Sequence, residues 1–110
     1  MSEKQPAKAD NCVIIDTFTG MIKHYNIIVK GRVQGVGFRY ATQREARLWG
    51  IRGFVKNLPD GSVYIEAEGE QEILQQFARW CHEGPSQARV EDIEVSEAPA
   101  TGAGPFSVRY

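Results

Sequence analysis

Between Val63 and Glu83 the spacing of apolar residues switches from every second position to every third or fourth, and this switch restricts the possible folds. Val63, Ile65 and Ala67 alternate with Tyr64, Glu66 and Glu68, the pattern of a strand with one buried face. Then Ile73, Leu74, Phe77, Trp80 and Cys81 fall on one stripe of a helix that Gly84 and Pro85 end. The same succession occurs earlier. Tyr25, Ile27 and Val29 alternate with His24, Asn26 and Lys30; after a glycine-rich stretch, Phe38, Thr42, Ala46 and Trp49 recur at near-helical spacing, with Gly50 suited to a C-terminal cap. Between the two units, IRGFVKN reads as a strand and LPDGS as the turn of a hairpin. Val90, Ile93 and Val95, and then Phe106 and Val108, suggest two more strands. The order predicts an α+β, ferredoxin-like split βαβ sandwich (βαββαβ), an antiparallel sheet with two helices on one face.

At 110 residues there is room for one such domain. The first ten residues, MSEKQPAKAD, read as a polar arm, and CVIIDTF as a short run of strand character. Residues 1–20 are expected to be a flexible, dispensable leader and residues 21–110 the domain. If CVIIDTF is ordered, Val13, Ile14 and Ile15 could pair with a sheet edge of this molecule or of a neighbour; otherwise a monomer is expected. Cys12 and Cys81 lie far apart and outside any C-x-x-C spacing, so two free thiols are expected. No secretory signal is readable at the start and no window is apolar enough for a bilayer, so a cytoplasmic address without a membrane partner is expected. The net charge of -1 advertises no polyanion partner, so any anion site is local.

The glycine-rich stretch is GRVQGVGFR, residues 31–39, with no acidic residue, histidine, cysteine or serine. A turn of this kind between strand and helix can aim backbone N–H groups at one point, where the positive end of the helix adds to the field. Arg39 brings a guanidinium that can fork onto two oxygens of a phosphate. The nucleotide loop G-x-x-x-x-G-K-[ST] is excluded by the missing lysine, and the dinucleotide fingerprint fails at Tyr40. The bland reading is a tight turn and nothing more.

VKGRVQGVGFR resembles the first signature of the acylphosphatase family, and GFVKNLPDGSVYIEAEG the second, with Gly53, Phe54, Asn57, Gly61, Val63 and Gly69 in place. The resemblance extends over residues 22–110. It implies that Arg39 binds substrate, that Asn57 positions the attacking water, and that the backbone of Gln34, Gly35, Val36, Gly37 and Phe38 cradles the phosphoryl group. Thr42 stands where a family threonine supports the site through hydrogen bonds, with core packing as its alternative reading. The implied activity is hydrolysis of a small acyl phosphate without metal or cofactor, with inorganic phosphate as product and competitive inhibitor. The absence of acid and base from the loop fits this chemistry. The leaving group is a carboxylate and needs no proton, while phosphoryl transfer asks mainly for positioning and charge stabilisation.

His24 and His82 are given no role, and Glu66 and Glu68 read as the solvated side of their strand. Two rivals remain. RGFVKN faintly echoes an RNA-recognition motif but breaks after Phe54, so no nucleic-acid partner is expected. The other rival is a noncatalytic acyl-phosphate or carbamoyl-phosphate binding module. Removing residues 1–20 is expected to leave turnover of an acyl phosphate intact; a large loss of folded protein, read by circular dichroism, would assign CVIIDTF to the core.

Overall fold

The computed structural model describes residues 21–110. The leader, the CVIIDTF strand with its edge contact, and Cys12 lie outside the described residues. From Ile22 the chain forms β1 (Ile22–Arg32), α1 (Phe38–Leu48), β2 (Arg52–Asn57), β3 (Val63–Glu70), α2 (Gln71–Glu83), β4 (Arg89–Ala98) and β5 (Ser107–Val108). The sheet order is β4-β1-β3-β2-β5. The first four of these pair antiparallel with one another, as the βαββαβ pattern predicts. β5 adds a two-residue parallel edge, pairing Phe54 with Ser107 and Val55 with Val108. To reach that edge from β4 the chain has to cross the whole sheet, so Phe106 and Val108 could not continue the hairpin order. Among the described residues, no helix is long and apolar enough to cross a membrane.

The predicted alternation sets the core. Tyr25, Ile27 and Val29 of β1 and Val63, Ile65 and Ala67 of β3 face the helices, with Ile27 opposite Ile65 and Val29 opposite Val63. Leu74, Phe77 and Cys81 of α2 and Phe38 and Ala46 of α1 close over them. Each large side chain so buried contributes about 1.5–3 kcal/mol. Phe77 joins the layers, stacking near Trp80 at 6.2 Å and meeting Phe106 edge-on at 6.3 Å, while Trp80 lies 5.9 Å from Phe38 at the start of α1. The thiol of Cys81 is free and fully buried, and burial pushes its pKa upward.

The opposite face departs from expectation. Glu68 and His24 are not solvated: they are 5% and 2% exposed. His24 Nδ1 lies 2.8 Å from Glu68 Oε1 and its Nε2 lies 3.1 Å from Glu66 Oε1, so the ring bridges the two carboxylates. Glu68 Oε1 also accepts the amide N–H of Thr101 at 2.7 Å, and Oε2 accepts those of Gly102 at 2.9 Å and Ala103 at 3.1 Å. Glu68 thus catches the crossing segment midway along its route to β5. The strand period was read correctly, but the cover comes from residues over thirty positions away.

Burial alone would raise the Glu68 pKa, but the hydrogen bonds from Thr101, His24, Ala103 and Gly102 outweigh it and hold the carboxyl at about 2. A lowered folded-state pKa stabilises the fold fully above the ordinary value of 4.5 and is lost as pH falls towards 2. Glu68→Gln is expected to cost about 1–3 kcal/mol at neutral pH, because donors lose a charged acceptor. The same variant should flatten the fall in melting temperature between pH 4.5 and 2, as thermal denaturation at stepped pH would read.

Candidate active site

Residues 33–37 turn the end of β1 into α1. Val33, 1% exposed, anchors the turn in the core. Gly35 and Gly37 have φ of 75° and 77°, a region that side chains disfavour, and a Cβ on either would meet nothing within 4 Å. Their glycine requirement is therefore torsional. Gly31 differs. A Cβ there would sit 2.2 Å from the Arg89 carbonyl oxygen, so this glycine serves the close approach of β1 to β4 and not the cradle.

Gly37 is the N-cap of α1, with no side-chain cap and no acidic residue in the first turn. Ala41 N–H is bonded to Gly37 O at 3.0 Å, which leaves the N–H groups before it without an intrahelical acceptor. Together with the helix dipole they form a donor set for an anion.

Gln34 contributes more than backbone. Its side-chain amide donates to both Leu58 O and Ser62 O, each at 2.8 Å. These carbonyls belong to the β2–β3 turn, directly after Asn57 at the end of β2. One side chain therefore fixes the separation between the loop and Asn57.

Arg39 is held from the far end of the chain. Its Nη1 donates to Arg109 O at 3.2 Å, and its guanidinium lies 4.7 Å from the centre of the Tyr110 ring. The hydroxyls of Tyr40 and Tyr110 bond to one another. Arg109 is fixed by its N–H to Val55 O at 2.8 Å, with its own guanidinium 3.8 Å from the Phe54 ring centre. No period or motif in the sequence flags Tyr40, Arg109 or Tyr110, whose contacts with one another exist only once β5 is placed. Thr42 is fully buried, and its hydroxyl donates to Phe38 O at 2.8 Å within the first turn of α1.

Val33, Gly35, Gly37, Phe38, Arg39, Tyr40 and Asn57 line a common pocket of about 210 Å³. Gln34 and Val36 line a neighbouring groove, and Thr42 lines neither. Asn57 Oδ1 is buried and has no hydrogen-bond partner among the described residues. Such an oxygen costs about 1–3 kcal/mol unless something donates to it. Among the described residues, no carboxylate, imidazole or thiol lines the pocket.

The molecule is an α+β split βαβ sandwich in which an uncapped helix start, an arginine and an amide surround one small pocket. Comparison with known proteins makes this specific. The acylphosphatase family model matches residues 25–108. The acylphosphatase of Rubrobacter xylanophilus is 51% identical over 88 residues, 79% of this chain and 80% of that protein. That of Archaeoglobus fulgidus is 51% identical over 84 residues, 76% of this chain and 94% of that one. The crystal structure of acylphosphatase from Bacillus subtilis superimposes with a TM-score of 0.78 at 46% identity, covering 82% of this chain and all of that one. Full-length HypF in its phosphate- and nucleotide-bound form is similar over 83% of this chain but only 12% of its own, with a TM-score of 0.73 at 30% identity. The chain belongs to the acylphosphatase family and is an enzyme of that class.

The glycine geometry gives a direct test. Gly35→Ala and Gly37→Ala are each expected to cost about 1–2 kcal/mol, the torsional penalty alone. Gly31→Ala should cost more, because backbone must move at the β1–β4 contact. Denaturant midpoints for the three variants would rank them.

Proposed function

We propose that the pocket hydrolyses the carboxyl–phosphate bond of an acyl phosphate, R–CO–O–PO₃²⁻ and water giving R–COO⁻ and inorganic phosphate, by in-line attack and without metal or covalent intermediate. The observation that carries this reading is the buried, partnerless amide oxygen of Asn57, in the wall of a pocket that also holds the uncapped start of α1. The backbone N–H groups of residues 34–38 and the Arg39 guanidinium hold the phosphoryl oxygens and offset charge that spreads over them in the loose transition state. Asn57 Oδ1 accepts a hydrogen bond from water, and the amide nitrogen donates in turn, which fixes the direction of the water lone pair. A carboxamide is no base at neutral pH, so the proton departs after bond formation has begun, to the phosphoryl group itself. The carboxylate leaves without protonation, in keeping with a pocket that no acid among the described residues lines.

Supporting residues keep this arrangement rigid. The Arg109 carbonyl and the Tyr110 ring restrict Arg39, whose entropy would otherwise oppose binding. Thr42 supports the first turn of α1 through Phe38 O, and the side chain of Gln34 keeps the cradle in register with Asn57. A segment similar to this chain also lies within the longer HypF, solved in a phosphate-bound form, and the second reading is a noncatalytic acyl-phosphate or carbamoyl-phosphate binding module. Sustained release of phosphate over many turnovers separates the two.

Turnover of benzoyl phosphate in the presence of a chelator is expected for the unmodified chain. Asn57→Ala should lower kcat about 10²–10³-fold with the fold intact, as for one lost preorganising contact. Arg39→Ala should weaken competitive inhibition by inorganic phosphate; an unchanged inhibition constant would remove Arg39 from the site.

A further inference from the structure

Beside the cradle lies a second, more open groove of about 560 Å³, lined by Arg32, Gln34, Gly35, Val36 and Gln87. It shares Gly35 with the phosphoryl pocket. The side-chain N–H groups of Gln34 are committed to Leu58 and Ser62, so among the described lining residues Arg32 and Gln87 are the side chains left to donate to a ligand there.

The charges around this groove are arranged unlike those elsewhere on the same strands. Along β1 and β4, cations meet acids: Lys30 Nζ donates to Glu94 Oε2 at 2.8 Å, and Lys23 Nζ lies 3.6 Å from Glu97 Oε1. At the groove, Arg32 stands directly opposite Arg89 in the ladder. Like charges in that position repel. Among the described residues no carboxylate lies within 4.0 Å of either guanidinium, Glu91 included, although its stem lies beside Gly31. An anion at the groove would relieve this repulsion.

The sheet order supplies the direction. Asn57 ends β2, on the far side of β3 from β1, whereas Arg32 and Gln87 flank the loop on the β4 side. In-line displacement sends the leaving group away from the attacking water. With water at Asn57, the acyl group leaves towards Arg32.

We propose that this groove is the acyl subsite and that Arg32 selects acyl phosphates whose acyl group carries a second anionic group, a carboxylate or a phosphate. This rests on the hydrolytic reading above. The test compares kcat/KM for benzoyl phosphate with that for its carboxy- and phosphonooxy-substituted forms, at ring positions 3 and 4. The unmodified chain should prefer an anionic form by about five-fold at low salt, the scale of one exposed charge contact, and lose the preference as salt rises. The arm with the larger gain identifies the anion. Arg32→Gln should bring the ratio to about one and Arg32→Glu should invert it. A ratio near one in the unmodified chain for every form, or a preference that survives Arg32→Gln, overturns the subsite while leaving hydrolysis standing. Absence of turnover of benzoyl phosphate overturns the hydrolytic reading instead. The subsite is then judged by calorimetric binding of benzoylmethylphosphonate against its 4-carboxy form, with equal affinities overturning it.

Discussion

The pairing of β1 with β3 is the constraint on which the rest depends. Ile27 against Ile65 and Val29 against Val63 bury the centre of the sheet under both helices. The same register brings the end of β1 to the β2–β3 turn, so the loop after Arg32 and the strand end at Asn57 meet at one corner. A slip of one residue would turn every core side chain to the other face and separate the two halves of the pocket. Gln34 completes the arrangement by bonding two carbonyls of the turn, converting a packing register into a fixed distance between cradle and amide.

The pocket relies on oriented dipoles more than on titratable groups. Its donors are backbone N–H groups at an uncapped helix start, one guanidinium and one carboxamide. Such a set is already aligned before the reaction begins. That suits a reaction whose leaving group is a weak base and whose charge stays on the phosphoryl oxygens. The same set would serve poorly where an alkoxide had to depart, since it holds no general acid to protonate it.

The segment after β4 is tied at both ends of its path. Glu68 accepts three successive backbone N–H groups from Thr101 to Ala103, and β5 delivers Arg109 and Tyr110 against Arg39. Stability and site geometry are thus coupled through one stretch of chain. The buried carboxylate at one end of the sheet holds the segment whose last residues restrain Arg39 of the pocket at the other.

Local chemistry by itself determined the elements and their order. Period-two spacing marks β1 and β3 and helical spacing both helices, apolar runs suggest β2 and β4, and the glycines at 35 and 37 with Arg39 raise an anion loop beside a plain tight turn, because each signal lies within about a dozen consecutive residues. Asn57 was legible only through resemblance to a family signature, since one asparagine at a strand end carries no local signal. What the tertiary structure decided lies between residues distant in the chain: the burial of Glu68 and His24, the Gln34 bonds across the corner, the grip of Arg109 and Tyr110 on Arg39, and the register that sets Arg32 opposite Arg89. A strand pattern states which side chains share a face. Whether that face is covered, and by what, depends on where a later segment crosses, and that is settled only when the whole sheet closes.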